Sequence, residues 1–393
     1  MRLGIDFGTT RTVVAAVDRG NYPLVAFTSD DDDANATEWL PSRHEGEVSF
    51  KRRLARARLG DPAFERTAAF LQSVAAAIRT RSNLRLSPGE PLEAVVGVPA
   101  NASSTQRFLT VEAFHAAGFE VLAVVNEPTA AGLEFAHRHR RAITSTREHV
   151  LVYDLGGGTF DASLIDMGDR DHRVLSSAGL GELGGDDFDR AIYDLVCERA
   201  GLAALDPAQE RALLAECCLK KESIVPQTRR IVIDLPAAGL PGSPLVIPVD
   251  DVYERCASLV QRTMEVLTEP LAAVPGGLAL DAVAGIYVVG GASSLPLVSR
   301  QLKERFGRRV HRSPYSFAAT AIGLAIAADA SSGYALTDCF TRHFGVWRES
   351  EAGTRASFDA IFAKDTPLPA TGEAPLARVR RYRARHDVGH FRF

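Results

Sequence analysis

Long apolar runs are missing from this chain. No stretch reaches the roughly 18 apolar residues that would span a bilayer, so no membrane partner is expected. An excess of one charge is missing too: 45 Lys and Arg stand against 49 Asp and Glu, for a net charge of −4. That balance gives no general attraction to nucleic acid, which is not expected as a partner. Cysteine is scarce. Cys197, Cys217, Cys218, Cys256 and Cys339 are odd in number and show no metal-ligand spacing, which reads as reduced thiols rather than disulfides or a zinc site. The first strand begins at Leu3, leaving no room for a signal peptide, so a cytoplasmic location is expected. What is present is apolar content of 46% over 393 residues, enough for two or three domains with proper cores.

Strand and helix signals alternate along most of the chain. Residues 2–17 read as a hairpin, and the acidic run Asp30 to Asp33 as a solvated turn. Asp61-Pro62 starts a helix carrying Phe64, Leu71, Val74 and Ile78 at helical spacing. Residues 93–100 read as a buried strand, and residues 104–118 as a helix ended by glycine. Asn126-Glu127-Pro128 turns a strand into a helix. Further helices are expected after Gly185, from Asp206-Pro207 to Lys221, over 251–268, up to Gly307 and over 317–329. Such alternation predicts an α/β fold with sheets covered on both faces. After Ser331 the character changes. "CFTRHFGVWRE", "ASFDAIFAKDTPLPA" and "ARVRRYRARHDVGHFRF" read as short strands, the last with six arginines from Arg378 to Arg392 on a solvated face.

Two stretches carry the chemical signal. "GIDFGTTRTVV" and "VYDLGGGTFDASL" both run from a strand through an aspartate to a glycine turn and out along a second strand, as a structural duplication would. Glycine and aspartate also make ordinary turns, and that reading of each hairpin stays open. A glycine turn lets backbone N–H groups approach a phosphate closely, because no Cβ intervenes. Two such turns facing each other would clasp one polyphosphate. Asp6 and Asp154 at their rims would then hold Mg²⁺, mostly through its waters. Hydrolysis at such a site needs an oriented water and cations for the developing charge.

"GIDFGTT", "VPANASSTQR", "NEPTAA", "YDLGGGTFD", "LGGDDFD" and "VVGGASSLP" occur, over about residues 1–330, in the order found in the heat shock protein 70 family. The chain resembles that family of DnaK-type chaperone ATPases, within the actin-like superfamily. The resemblance implies a two-lobed actin-like ATPase fold of duplicated ribonuclease H-like lobes. Its divisions would be lobe I over about 1–148, lobe II over about 149–310 and a closing helix 317–329 returning to lobe I. A linker over 331–339 and a partial β segment over 340–393 would follow.

The resemblance also implies ATP or ADP with Mg as cofactors, slow ATP hydrolysis and protein clients. A J-domain co-chaperone and a nucleotide exchange factor are further implied partners. Lys51, Glu127, Asp154 and Thr159 would be catalytic, with Asp161 behind the metal. Gly8, Thr9, Thr10, Gly156, Gly157, Gly158, Thr159, Gly184, Gly185, Lys220, Gly290 and Gly291 would hold nucleotide. Pro99 and Arg107 would couple nucleotide state to the linker.

Departures from the family pattern cluster on the adenosine side. In "ECCLKKESIV" the family's glutamate aligns with Cys217 and its serine with Ile224, while Lys220 and Lys221 fit. Ala292, Ser294 and Tyr315 replace a serine, an arginine and an aspartate. These changes leave the base preference open. The segment before "VVGVPA" looks short, and the tail is too short for a whole client-binding domain with its lid. Three other readings remain: an actin- or MreB-type filament ATPase, a small-molecule kinase of the superfamily, and a nucleotide-sensing module with little turnover. The last is favoured if Lys51 stands outside the site.

Overall fold

The computed structural model describes residues 1–28, 36–42, 50–54, 57–100, 102–139, 143–144, 147–168, 171–337, 339–340, 342–350, 355–369 and 374–383. The acidic run Asp30 to Asp33 lies outside these residues, as do Asn101, Asp338, Arg385 and Arg392.

Strand β1 (Arg2–Phe7) pairs antiparallel with β2 (Arg11–Ala16), and β2 with the two-residue β3 (Leu40–Pro41). Strand β4 (Leu92–Val98) runs parallel to β1, and β5 (Phe119–Asn126) parallel to β4. The order of this first sheet is β3-β2-β1-β4-β5. Helix α1 (Phe50–Leu54) precedes α2 (Pro62–Thr80), whose Phe64, Leu71, Val74 and Ile78 join the core behind the sheet. Helix α3 (Ser104–Ala116) is capped by Ser103, which accepts from the Gln106 N–H at 3.1 Å, and it stops before Gly118 at φ +82°. Helix α4 (Glu127–Arg138) follows β5 without a loop, with Pro128 in its first turn.

The second sheet repeats the plan. Strands β6 (His149–Leu155) and β7 (Phe160–Asp166) form the hairpin, and β8 (Asp171–Leu180) continues it antiparallel. Between β8 and the next sheet strand come α5 (Gly185–Ala200), α6 (Pro207–Glu222), the hairpin β9 (Arg230–Ile233) and β10 (Leu245–Pro248), α7 (Val249–Leu267) and α8 (Glu269–Ala273). Strand β11 (Val283–Val289) then runs parallel to β6. After α9 (Pro296–Phe306), β12 (Val310–Arg312) runs parallel to β11. The order β12-β11-β6-β7-β8 matches β5-β4-β1-β2-β3 of the first sheet strand for strand. The repeat read from the two hairpins is therefore a repeat of topology.

Helix α10 (Ala319–Ala328) packs on β1 so closely that a Cβ at Gly4 would lie 2.1 Å from the Ala325 nitrogen. It crosses α4 at Gly323, where a Cβ would lie 1.7 Å from the Ala130 carbonyl oxygen. Helix α4 in turn faces β7, with Gly132 against Ile165 and Met167. These two small-residue helices knit the halves together.

Strand β13 (Ala335–Thr337) adds to the second sheet parallel to β8, so the stretch expected as a linker contributes a sheet edge. Strands β14 (Phe344–Ser350) and β15 (Arg355–Phe362) form a separate hairpin. Of the third expected tail strand, the described residues 374–383 form no strand. The side chains attach this segment, Tyr382 donating to the Asp359 carboxylate at 2.8 Å with Arg348 over its ring. Alternating arginines offer no apolar face to bury, which leaves strand pairing little to gain. Among the described residues no helix is long and apolar enough to cross a membrane.

Candidate functional site

A cavity of about 230 Å³ opens where the two hairpin turns meet. On one side Gly8, Thr9 and Thr10 line it, and the Gly8 N–H donates to the Arg11 carbonyl at 3.1 Å to close the turn. On the other side are Gly156, Gly157 and Thr159, with the Gly156 N–H donating to Thr159 at 3.0 Å. The turns touch: a Cβ at Gly157 would lie 2.2 Å from Thr10 Oγ1. Such a close approach is why glycine stands there.

Two more glycine pairs complete the walls. The first N–H groups of α5 bond back to the second turn, Gly185 to Gly156 at 2.9 Å and Asp186 to Gly157 at 2.8 Å. Gly185 lines the cavity, while Gly184 packs behind, where a Cβ would meet the Gly158 backbone at 2.5 Å. Gly290, at φ +86°, ends β11 against Asp154 and Leu155, and with Gly291 lines the cavity.

The floor is charged. Asp6, Glu127 and Asp154 line it, and Asp161, register partner of Asp154, is buried beneath. Lys51, carried by α1, is buried and forms an ion pair with Glu127. Among the described residues, Lys51 is the one cation set against this carboxylate floor, which leaves its charge uncompensated. Burial, with Glu127 alongside, pushes the Asp6 pKa up to about 7 against the opposing pull of Lys51. Burial, then Glu127, Asp161 and Asp6, raise Asp154 well above the usual carboxylate range. Burial pulls Lys51 down, but Glu127 and Asp6 outweigh it and hold the ammonium charged. Hard oxygen donors with surplus negative charge suit a divalent cation such as Mg²⁺. Among the described residues, no three acidic, His or Cys side chains stand close enough to ligate one ion directly.

On the far wall, Lys220 does not line the cavity; it pairs with Glu216 at 3.3 Å. Lys221 lines the cavity instead, held by Asp189 at 2.7 Å and by the Gly185 carbonyl at 2.9 Å. Neighbouring helix residues point about 100° apart, so turning Lys221 inward turns Lys220 away. The same register brings Cys218 to the cavity and sends Cys217 into the core. Ala292 and Ser294 also line it, and Tyr315 does not. Arg11, Asp186, Asp189, Glu222, Ser316, Phe317 and Thr320 line it without having been named from sequence. Arg11 had a local signal, standing directly after Thr9-Thr10, as did Asp186 and Asp189 within "LGGDDFD".

Pro99 and Arg107 stand outside the cavity but are joined to its floor. Arg107 donates to the Asn126 side chain and to the carbonyls of Ala100 at 3.3 Å and Pro99 at 3.5 Å. Asn126 immediately precedes Glu127, so Arg107 reaches the floor through one residue.

A family model described as Hsp70 protein matches residues 67–344. The chain belongs to the Hsp70 family. Its two like-ordered sheets are accordingly those of the actin-like ATPase fold. Among curated relatives, the chaperone protein HscA homolog of Pseudomonas putida is 34% identical over 268 residues, covering 65% of this chain and 39% of that protein. The chaperone protein DnaK of Thermotoga neapolitana is 34% identical over 248 residues, covering 61% of this chain and 41% of that protein. The chain thus spans about two fifths of the length of the curated relatives it matches.

Proposed function

We propose that this Hsp70-family chain binds ATP with Mg²⁺ in the cavity, hydrolyses it slowly, and couples nucleotide state to the binding of a protein client. The observation that carries this reading is the contact of Thr10 with Gly157, which sets two glycine-threonine turns face to face above a carboxylate floor. Backbone N–H groups of the turns would hold the phosphates, and Gly290-Gly291 would admit the ribose. Asp6 and Asp154 would hold Mg²⁺ through its waters, with Asp161 behind. The ion would neutralise phosphate charge during transfer. Glu127 would orient the attacking water while Lys51 presents its ammonium to the transferring phosphoryl group. Thr159 would hold the phosphate from the second turn.

Lys51 is buried against Glu127 at the floor, which supports turnover over a purely sensing role. The adenosine wall, with Cys218, Lys221, Ala292 and Ser294, supports no particular base by charge, so ATP and GTP are compared in the test.

For the division of labour, lobe I would run to about 148 and lobe II from 149 to 310, with 317–329 returning to lobe I. Residues 331–339 would be the responsive segment and 340–393 the client-side module. Support comes from the Pro99–Arg107–Asn126 connection to the floor and from β13 resting on β8 as a short, separable edge. A J-domain co-chaperone and a nucleotide exchange factor would act on such a cycle in the cytoplasm. Single-turnover ATP hydrolysis, with Mg²⁺ and with chelator, tests the chemistry. Phosphate release that Asp154→Asn does not slow would overturn the site assignment.

A further inference from the structure

The balanced net charge conceals a division along the chain. Residues 340–393 hold ten of the Lys and Arg and six of the Asp and Glu, a local charge of +4, while residues 1–339 carry −8. Nine of those ten cations are arginine. The densest run is Arg378, Arg380, Arg381 and Arg383, and residues 374–383 contain no acidic side chain. A polyanion responds to such a local concentration of charge, which the whole-chain balance averages away.

The run is displayed rather than buried. Residues 374–383 are all exposed and form neither helix nor strand. Tyr382 ties them to the β14–β15 hairpin, its hydroxyl donating to Asp359 and its ring lying 5.4 Å from the Arg348 guanidinium. Arg348 stands 3.7 Å from the same carboxylate, so one face of the hairpin carries Arg348, Asp359 and the attached arginine run. On the other face Trp347 is the register partner of Phe358, with ring centroids 5.3 Å apart. The indole is 70% exposed.

We propose that residues 378–383 and the β14–β15 hairpin that holds them form a contact for single-stranded nucleic acid. This goes beyond the chaperone reading above and does not depend on it. Arginine suits the task better than lysine, because its planar guanidinium pairs with phosphate through two hydrogen bonds and stacks on bases. Proteins that bind single strands without sequence preference combine cations along the backbone with an aromatic ring on which a base stacks. Here the four arginines supply the first and Trp347 the second, one on each face of a hairpin only two strands wide. An acidic polypeptide would use the charge but offers no planar base to the indole. A membrane surface is met by an amphipathic helix, and residues 374–383 are not helical.

The experiment titrates the full chain into fluorescently labelled oligo(U) or oligo(dT) of about 12 nucleotides and reads anisotropy from roughly 50 to 200 mM salt. Excess Mg-ADP keeps the cavity from being the site measured. Affinity should fall steeply with salt, and four phosphate contacts account for about −3 in the slope of log affinity against log salt. Arg378→Gln, Arg380→Gln, Arg381→Gln and Arg383→Gln together should flatten the slope by about 3 and weaken binding about tenfold or more. ADP affinity should not change, since none of the four lines the cavity. Trp347→Ala should weaken oligonucleotide binding about fivefold at an unchanged slope, as the loss of one stacked base would. A polyglutamate peptide bound as tightly as oligo(U) would make the partner an acidic protein, and phosphatidylserine vesicles bound as tightly would make it a membrane; either result overturns the proposal. So would parental affinity in the four-glutamine variant or in Trp347→Ala. If neither oligonucleotide binds while ADP does, this contact falls and the nucleotide reading stands.

Discussion

Replacing Asp6 by asparagine takes one carboxylate out of a crowded floor, and its effect on stability has a definite pH signature. Burial and Glu127 hold the folded Asp6 at a pKa of about 7, against 3.8 for an unperturbed aspartate. Between those values the folded chain keeps a proton that the unfolded chain has lost. The stability contributed is full below pH 3.8 and is lost as pH rises through about 7. Across that window the loss amounts to about 4 kcal/mol, and between pH 5 and pH 8 to about 3 kcal/mol.

Asparagine has no such slope. In chelator, without nucleotide, urea denaturation at the two pH values should show Asp6→Asn gaining about 3 kcal/mol on the parent from pH 5 to pH 8. Distant groups titrate alike in both proteins, so the difference between them reports Asp6 together with its coupling to Asp154. The same variant should lose Mg²⁺-dependent nucleotide binding, since the charge that strains the empty floor is the one a metal would neutralise. A parent–variant gap that stays constant between the two pH values would refute the reasoning.

Lys51→Ala should slow single-turnover hydrolysis at least tenfold while weakening ATP affinity less, because its charge acts on the transferring phosphoryl group. Equal losses in rate and affinity would remove Lys51 from that role. Gly157→Ala drives a methyl to within 2.2 Å of Thr10 Oγ1, so calorimetry should find nucleotide affinity down tenfold or more; unchanged affinity would show the turns need not touch. Arg107→Ala should leave nucleotide affinity within about threefold yet reduce the ATP-versus-ADP difference in protease cleavage around Tyr334–Cys339. Identical cleavage of the parent in ATP and ADP would argue that no coupling exists.

Much of the fold was legible because local signals and topology agree. The Asp-x-Gly turns at Asp6 and Asp154 marked both hairpins, and each became the centre of a sheet of the same order. Asp61-Pro62 and Asp206-Pro207 marked helix starts that the structure has. The floor residues Asp6, Glu127 and Asp154 stand at strand or helix ends, where turn chemistry exposes them in sequence. The far wall was harder. Lys220 and Lys221 are equally good helix residues, and partners on α5, Asp189 and the Gly185 carbonyl, hold Lys221 inward. Arg11, Trp39 and Glu222 meet across long stretches of chain, and no spacing rule brings such residues together. The arginine-rich tail alternates like a strand, but alternation specifies a strand only where one face has something to bury against.

The most direct measurement is calorimetric titration of ATP, with GTP alongside, into the full chain in Mg²⁺ and in chelator, followed by single-turnover release of inorganic phosphate. A Mg²⁺-ATPase seated between the two turns predicts saturable one-to-one ATP binding that weakens sharply without Mg²⁺, and phosphate release above the buffer rate that Asp154→Asn abolishes. No binding of either nucleotide in Mg²⁺, or phosphate release indistinguishable from buffer, would contradict it.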